Sequence, residues 1–164
     1  MSLPSNSASE LSAQPCRADE VEEIRQLKAR YFRFMDTKRW DCWRDLFTSG
    51  VVGVFDNEVT TNGVSGQTAP TWEGVDVLVS SIRAAIEECT TVHHGHTSEI
   101  TLESATSASG IWAMSDIVVF PSGHTLYGAG HYHETYRKTD GAWRIQSIHL
   151  TRTRMEFVSP ATGS

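Results

Sequence analysis

Residues 109–120 read Ser109-Gly110-Ile111-Trp112-Ala113-Met114-Ser115-Asp116-Ile117-Val118-Val119-Phe120. Trp112, Met114, Asp116 and Val118 fall on one side of a period of two, and Ile111, Ala113, Ser115 and Ile117 on the other. That is the signature of a β-strand. The same period runs outward from it. Upstream, Ile100 and Leu102 alternate with Glu99, Thr101 and Glu103. Downstream, Pro121-Ser122-Gly123-His124 marks a turn, and Tyr127 to Lys138 forms another long strand. Gly128 and Gly130 inside it suit a strongly bent strand. Asp140-Gly141 is a hairpin signal, and Trp143 to Phe157 is the last strand.

The first half of the chain has a different period. Val21, Ile24, Leu27, Tyr31, Phe34 and Met35 recur at spacings of three and four, which predicts an amphipathic helix. Asp19 is placed as its N-cap, with Glu22 in the capping-box position. Trp40, Trp43, Leu46 and Phe47 predict a short second helix. Val51 to Phe55 reads as a strand, residues 57–71 as a loop, and Val75, Leu78, Val79, Ile82 and Ile86 as a third helix of about 14 residues. Helices first and strands later predict an α+β domain, with helices packed on one face of a curved sheet. Residues 18–158 are expected to form one domain, between a disordered tail at 1–17 and a short tail at 159–164.

Composition removes several classes of function. With 164 residues there is enough chain for one ordinary core. A net charge of -6 argues against a nucleic-acid surface, which needs clustered Lys and Arg. No apolar run approaches the length of a membrane span. Cys16, Cys42 and Cys89 are odd in number and scattered, which fits reduced thiols in a cytoplasmic protein.

The chemistry concentrates at Thr91-Val92-His93-His94-Gly95-His96-Thr97-Ser98-Glu99-Ile100, where three of the seven histidines occupy four positions. Asp116 interrupts an apolar strand face, and a carboxylate there is costly unless partnered. His93 with Asp116 makes a sensible acid/base pair, because a His held by a carboxylate has a controlled tautomer and titrates near neutral pH. Strand parity groups His94 and His96 with Ile100 and places His93 opposite, unless a bulge near Gly95 resets it. His96 is a candidate for the same pocket, whereas His94 is expected to be structural or exposed. Tyr132 and Tyr136 share a strand face and are candidates for pocket lining or core. Tyr31 and Asp36 lie about 140° apart on an ideal helix. Both reach one cavity only if Asp36 sits at the helix end.

Several of these motifs resemble the SnoaL-like branch of the nuclear transport factor 2-like superfamily. They are Ala29-Arg30-Tyr31-Phe32-Arg33-Phe34-Met35-Asp36, Trp40-Asp41, Leu46-Phe47, Val92-His93-His94-Gly95-His96 with Glu99-Ile100, Gly110 to Asp116, Gly128 to Tyr132, and Asp140 to Ile145. The resemblance implies a cone-shaped, mainly antiparallel α+β barrel with a deep apolar pocket. It implies proton chemistry on a hydrophobic, polycyclic or steroid- or polyketide-like substrate, with no metal and no cofactor. The dehydratase pattern it carries puts Tyr31, Asp36, His93 and Asp116 in the catalytic places, with Asp116 orienting His93. Arg152 takes the place of a recurring arginine on the final strand, with Arg154 the alternative.

Two other readings compete. His94, His96 and Glu99 resemble a metal set built on an HxH pair. A non-catalytic module would use the same pocket for a ligand, or the sheet face for self-association. Exposed Trp112 or Trp143 would need covering, so a homo-oligomer, dimer or trimer, is expected alongside a small hydrophobic ligand.

Overall fold

Residues 16–59 and 67–160 are described by the structure, which is a computed structural model. Among the described residues three helices, α1 (Arg17–Asp36), α2 (Trp40–Arg44) and α3 (Val75–Ile86), pack on six strands. The strands are β1 (Phe47–Val59), β2 (Trp72–Glu73), β3 (Thr90–Leu102), β4 (Ser107–Val119), β5 (Thr125–Thr139) and β6 (Ala142–Val158). They form one curved sheet in the order β2-β1-β6-β5-β4-β3. β1 runs parallel to β6, and every other pairing is antiparallel. The expected α+β class is observed. The sheet stays open, however, with β2 and β3 at its edges, so the expected barrel does not close.

The alternation in β4 becomes burial: Trp112, Met114, Asp116 and Val118 all face inward. Lys138 pairs with Trp143 and Thr139 with Ala142 around Asp140-Gly141, both of positive φ, so the hairpin falls where the sequence puts it. Three boundaries move. Helix α1 starts earlier, with Cys16 as its N-cap, and the Asp19 carboxylate accepts the Cys16 N–H at 3.2 Å. Phe47 belongs to β1 rather than to the short helix. Asn57 to Val59 extend β1, so the predicted loop is shorter than expected, and its stretch 60–66 lies outside the described residues. The proposed tails at 1–17 and 159–164 also fall there, apart from Cys16, Arg17, Ser159 and Pro160.

The apolar stripe of α1 and the inner sheet face close over one core rich in aromatics. Tyr31, Trp43, Tyr132 and Tyr136 are fully buried in it. Trp112 and Trp143 are buried there too, so neither forms the exposed surface on which the expected self-association rested. No helix among the described residues is long and apolar enough to cross a membrane.

Candidate active site

A cavity of about 270 Å³ lies between the inner sheet face, the end of α1 and α3. Its wall is mainly apolar, with Met35, Phe55, Ile82, Ile86 and Leu150 prominent. His93, Asp116, Tyr132, Arg152, Asp56 and Asn57 supply polar groups.

His93 enters this wall because β3 carries a bulge. Gly95 pairs with Met114 but Ser98 with Trp112, so β3 holds one residue more than β4 between them. The extra residue switches parity. Thr91 and His93 face inward on one side of it and Ile100 on the other, while His94 and His96 face outward. The expectation that His96 lines the pocket is therefore corrected: it is exposed, with Nε2 3.2 Å from Ser115 Oγ. Gly95 clears a path for the Phe32 ring, since a Cβ there would stand 2.4 Å from Phe32 Cε2. That ring in turn stacks against His93 at 6.4 Å and 16°.

Asp36 is the last residue of α1, as its place in a shared site requires. The negative end of a helix is a poor place for a carboxylate. Donors from β3 offset this. His93 Nδ1 is 2.6 Å from Asp36 Oδ1, the His93 backbone N–H donates to Oδ2 at 2.9 Å, and Thr91 Oγ1 donates to Oδ1 at 2.8 Å. Burial opposes ionisation of Asp36, but the hydrogen bonds from His93 and Thr91 outweigh it and hold the carboxyl below its ordinary value. An ionised Asp36 can only accept, so the proton on neutral His93 sits on Nδ1 and leaves the Nε2 lone pair free. The close partner of His93 is thus Asp36, and not Asp116 as the sequence suggested.

Asp116 faces the other ring nitrogen, its Oδ2 3.9 Å from His93 Nε2. It is 3 % exposed and is held by Arg152, whose Nη1 reaches Oδ1 at 2.9 Å and Oδ2 at 2.8 Å. Gly128, opposite Asp116 in the register, makes the room: a Cβ there would lie 2.0 Å from Asp116 Oδ1 and 2.6 Å from Arg152 Nη1. Arg152 points inward because β6 is also bulged. Tyr136 pairs with Ile145 but Thr135 with Ser147, which brings Ile148, Leu150 and Arg152 onto the face of Trp143 and Ile145. Arg154 is exposed and bonded to Glu156.

Tyr132 lines the cavity, and burial pushes its phenol above the ordinary value. Tyr31 does not line it. It is buried in the core beyond, its ring 5.4 Å from Phe32 and 5.7 Å from Tyr132. Tyr31 lies one turn before Met35 on the same face of α1, and that turn sets it behind the cavity wall.

Two features went unread in the sequence. Lys28 and Glu134 form an ion pair with neither side chain more than 1 % exposed. The Lys28 ammonium also lies 3.6 Å from the Tyr132 ring centroid and 4.0 Å from that of Tyr31. The signal was present: Lys28 is in phase with Ile24, Tyr31 and Met35, and Glu134 lies between Tyr132 and Tyr136 on one strand face. The second is Asp56, a buried cavity residue whose carboxylate accepts the Thr68 N–H at 2.9 Å and meets His149 Nε2 at 3.0 Å. Among the described residues no group of three His, Cys, Asp or Glu is placed to hold a metal ion, so His94, His96 and Glu99 do not form the metal set weighed above.

Residues 17–149 match the family described as the SnoaL-like domain. The probable cyclase FGR4 of Gibberella zeae is 24% identical over 143 residues, covering 83% of this chain and 93% of that protein. Among solved structures, a protein from Novosphingobium aromaticivorans named for scytalone dehydratase superposes with a TM-score of 0.69 at 18% identity, over 90% of this chain and 96% of that one. A hexachlorocyclohexane dehydrochlorinase, LinA-type3 of Novosphingobium barchaimii, gives 0.71 at 13%, over 87% and 92%. At these identities the solved structures speak for the fold, and all three relatives carry the names of small-molecule-converting enzymes.

Proposed function

This chain belongs to the SnoaL-like domain family, and from the geometry of its cavity we propose that it is an acid/base lyase, a dehydratase or an isomerase, acting on a small hydrophobic cyclic molecule. One observation carries the reading. His93 is fixed by Asp36 at 2.6 Å through Nδ1, and its Nε2 faces Asp116 across the wall of an apolar cavity.

In this reading Nε2 takes a proton from a substrate carbon next to a carbonyl. The imidazolium that forms lies between two carboxylates, Asp36 and Asp116, which favours it. It then returns the proton, to a departing hydroxyl in a dehydration or to another carbon in an isomerisation. Arg152 and the Tyr132 hydroxyl supply positive charge and a donor on the same wall, where an oxyanion develops. Asp36 is a positioning residue, and Tyr31 packs behind Tyr132 rather than touching substrate.

The cavity volume sits just below the roughly 300–1,000 Å³ of drug-sized pockets. That favours a one- or two-ring substrate over a four-ring steroid.

The test is a panel of small cyclic ketones, with and without a β-hydroxyl, incubated in D₂O. Elimination or C–H exchange followed by NMR should occur with the native protein and fall at least about 100-fold in His93→Ala. Equal turnover by both would refute the proposal.

A further inference from the structure

The residue just past the end of α1 is unusual. Arg39 N–H donates to Phe34 O and Lys38 N–H to Met35 O, the paired bonds of a Schellman cap. The left-handed position of such a cap favours glycine. Here it is Lys38, at φ 57. Helix capping alone therefore does not account for this side chain. Its ammonium reaches across to β3 and donates to Thr91 Oγ1 at 2.9 Å. Thr91 then has its own proton to give, and it gives it to Asp36 Oδ1 at 2.8 Å. Asp36 Oδ1 is the oxygen that meets His93 Nδ1. Lys38 donates to Thr91 and Thr91 to Asp36, and the ring's Nδ1–H donates to the same carboxylate oxygen from the other side.

We propose that Lys38 is a positioning residue of the candidate active site, which polarises Thr91 and thereby sets the charge that Asp36 presents to His93. The left-handed backbone is the device that aims its side chain. The proposal rests on the acid/base reading of His93 given above. The groups facing Lys38 are Asp36 on α1, Glu87 and Cys89 between α3 and β3, and the Trp40 ring 5.9 Å away on α2. Burial lowers the Lys38 ammonium from its ordinary value, and Asp36, Cys89 and Glu87 act the other way, so it is a partly desolvated cation. The groups facing His93 are Asp36 and Asp116, the latter bound to Arg152.

The sign of the effect is fixed by this arrangement. A cation near the pair disfavours the imidazolium, and a Thr91 hydroxyl locked on Asp36 lowers the basicity of the carboxylate. Removing the ammonium raises the His93 pKa on both counts. The experiment is ring-nitrogen NMR titration of His93 in protein labelled with ¹⁵N-histidine, for the native chain, Lys38→Met, Lys38→Gly and Lys38→Arg. Lys38→Gly suits the left-handed backbone and keeps the cap, so it remains folded if Lys38→Met does not. Both are expected to raise the His93 midpoint by about 0.5–1 unit, while Lys38→Arg stays near the native value. Where a substrate is in hand, the acid limb of kcat moves by the same amount with KM unchanged. A His93 midpoint unmoved in Lys38→Gly overturns the proposal, as does a loss of thermal stability in Lys38→Met with no change in the titration. Failure of the acid/base reading shows separately, as His93→Ala that retains turnover.

Discussion

Replacing Lys28 with Met leaves the Glu134 carboxylate in the core with Tyr136 as its remaining hydrogen-bond donor. The methionine fills similar volume, so the cost is electrostatic. Breaking a buried ion pair from one side costs about 3–5 kcal/mol. The ammonium also gives up its places over the Tyr132 and Tyr31 rings, which belong to the same loss. In a domain of this size 1 kcal/mol moves the midpoint by about 2–4 °C, so Tm should fall by roughly 6–20 °C in a thermal melt followed by circular dichroism at pH 7. Removing the partner as well, in Lys28→Met with Glu134→Leu, takes away the stranded charge. The remaining defect is the Tyr136 hydroxyl, which has lost its acceptor but still receives the Trp112 Nε1–H at 2.7 Å. That should cost only about 1–2 kcal/mol. Burial, partly offset by Glu134, lowers the Lys28 ammonium from 10.5 to about 8. Between those values the unfolded chain binds the proton and the folded chain releases it. The burden of this group is therefore full below pH 8 and eases as pH rises to 10.5. The native chain should gain stability relative to the double variant between pH 8 and 10. A single Lys28→Met that costs under about 1 kcal/mol, or singles that simply add to the double, would refute the reasoning.

Asp36→Asn should fold and lose about 10²–10⁴ in kcat, measured by steady-state kinetics on whichever ketone is turned over, because an amide neither fixes the Nδ1–H tautomer nor holds an imidazolium. Asp36 is held below its ordinary 3.8, so the stability from its hydrogen bonds is present at neutral pH and lost as pH falls through the folded value; acid-denaturation curves of Asp36→Asn should lack that component. Gly128→Ala should displace the Asp116–Arg152 pair and abolish turnover, with a stability loss of about 1–3 kcal/mol by urea titration. His96→Ala, on the outer face, should leave kcat/KM within about twofold of native. Self-association through the exposed sheet face, where Ile111, Val119 and Tyr127 are at least a third exposed, is expected in light scattering at micromolar concentration, and a monomer there would contradict it.

Periodicity alone determined most elements of this protein, though not β2, because the spacing of apolar residues along a strand or helix is a local property that survives without a partner. The face of Trp112, Met114, Asp116 and Val118, the apolar stripe of α1 and the Asp140-Gly141 turn were all readable from neighbours in sequence. The Tyr31 to Asp36 rotation was readable too, and Asp36 does sit at the helix end, but Tyr31 does not reach the cavity with it. What the tertiary structure decided is which atoms meet. The single extra residue between Gly95 and Ser98 turns His93 in and His96 out, and a bulge is visible only against the partner strand that it mismatches. The same holds for Arg152, whose inward aim depends on one unpaired residue between Ile145 and Ser147. Asp36 rather than Asp116 became the close partner of His93, because hydrogen bonds reach only about 3 Å and no spacing along the chain sets a distance between α1 and β3. Lys28 and Glu134 stand on apolar faces far apart in sequence, and either alone reads as an error in the pattern. Only packing shows that each is the reason the other is tolerated.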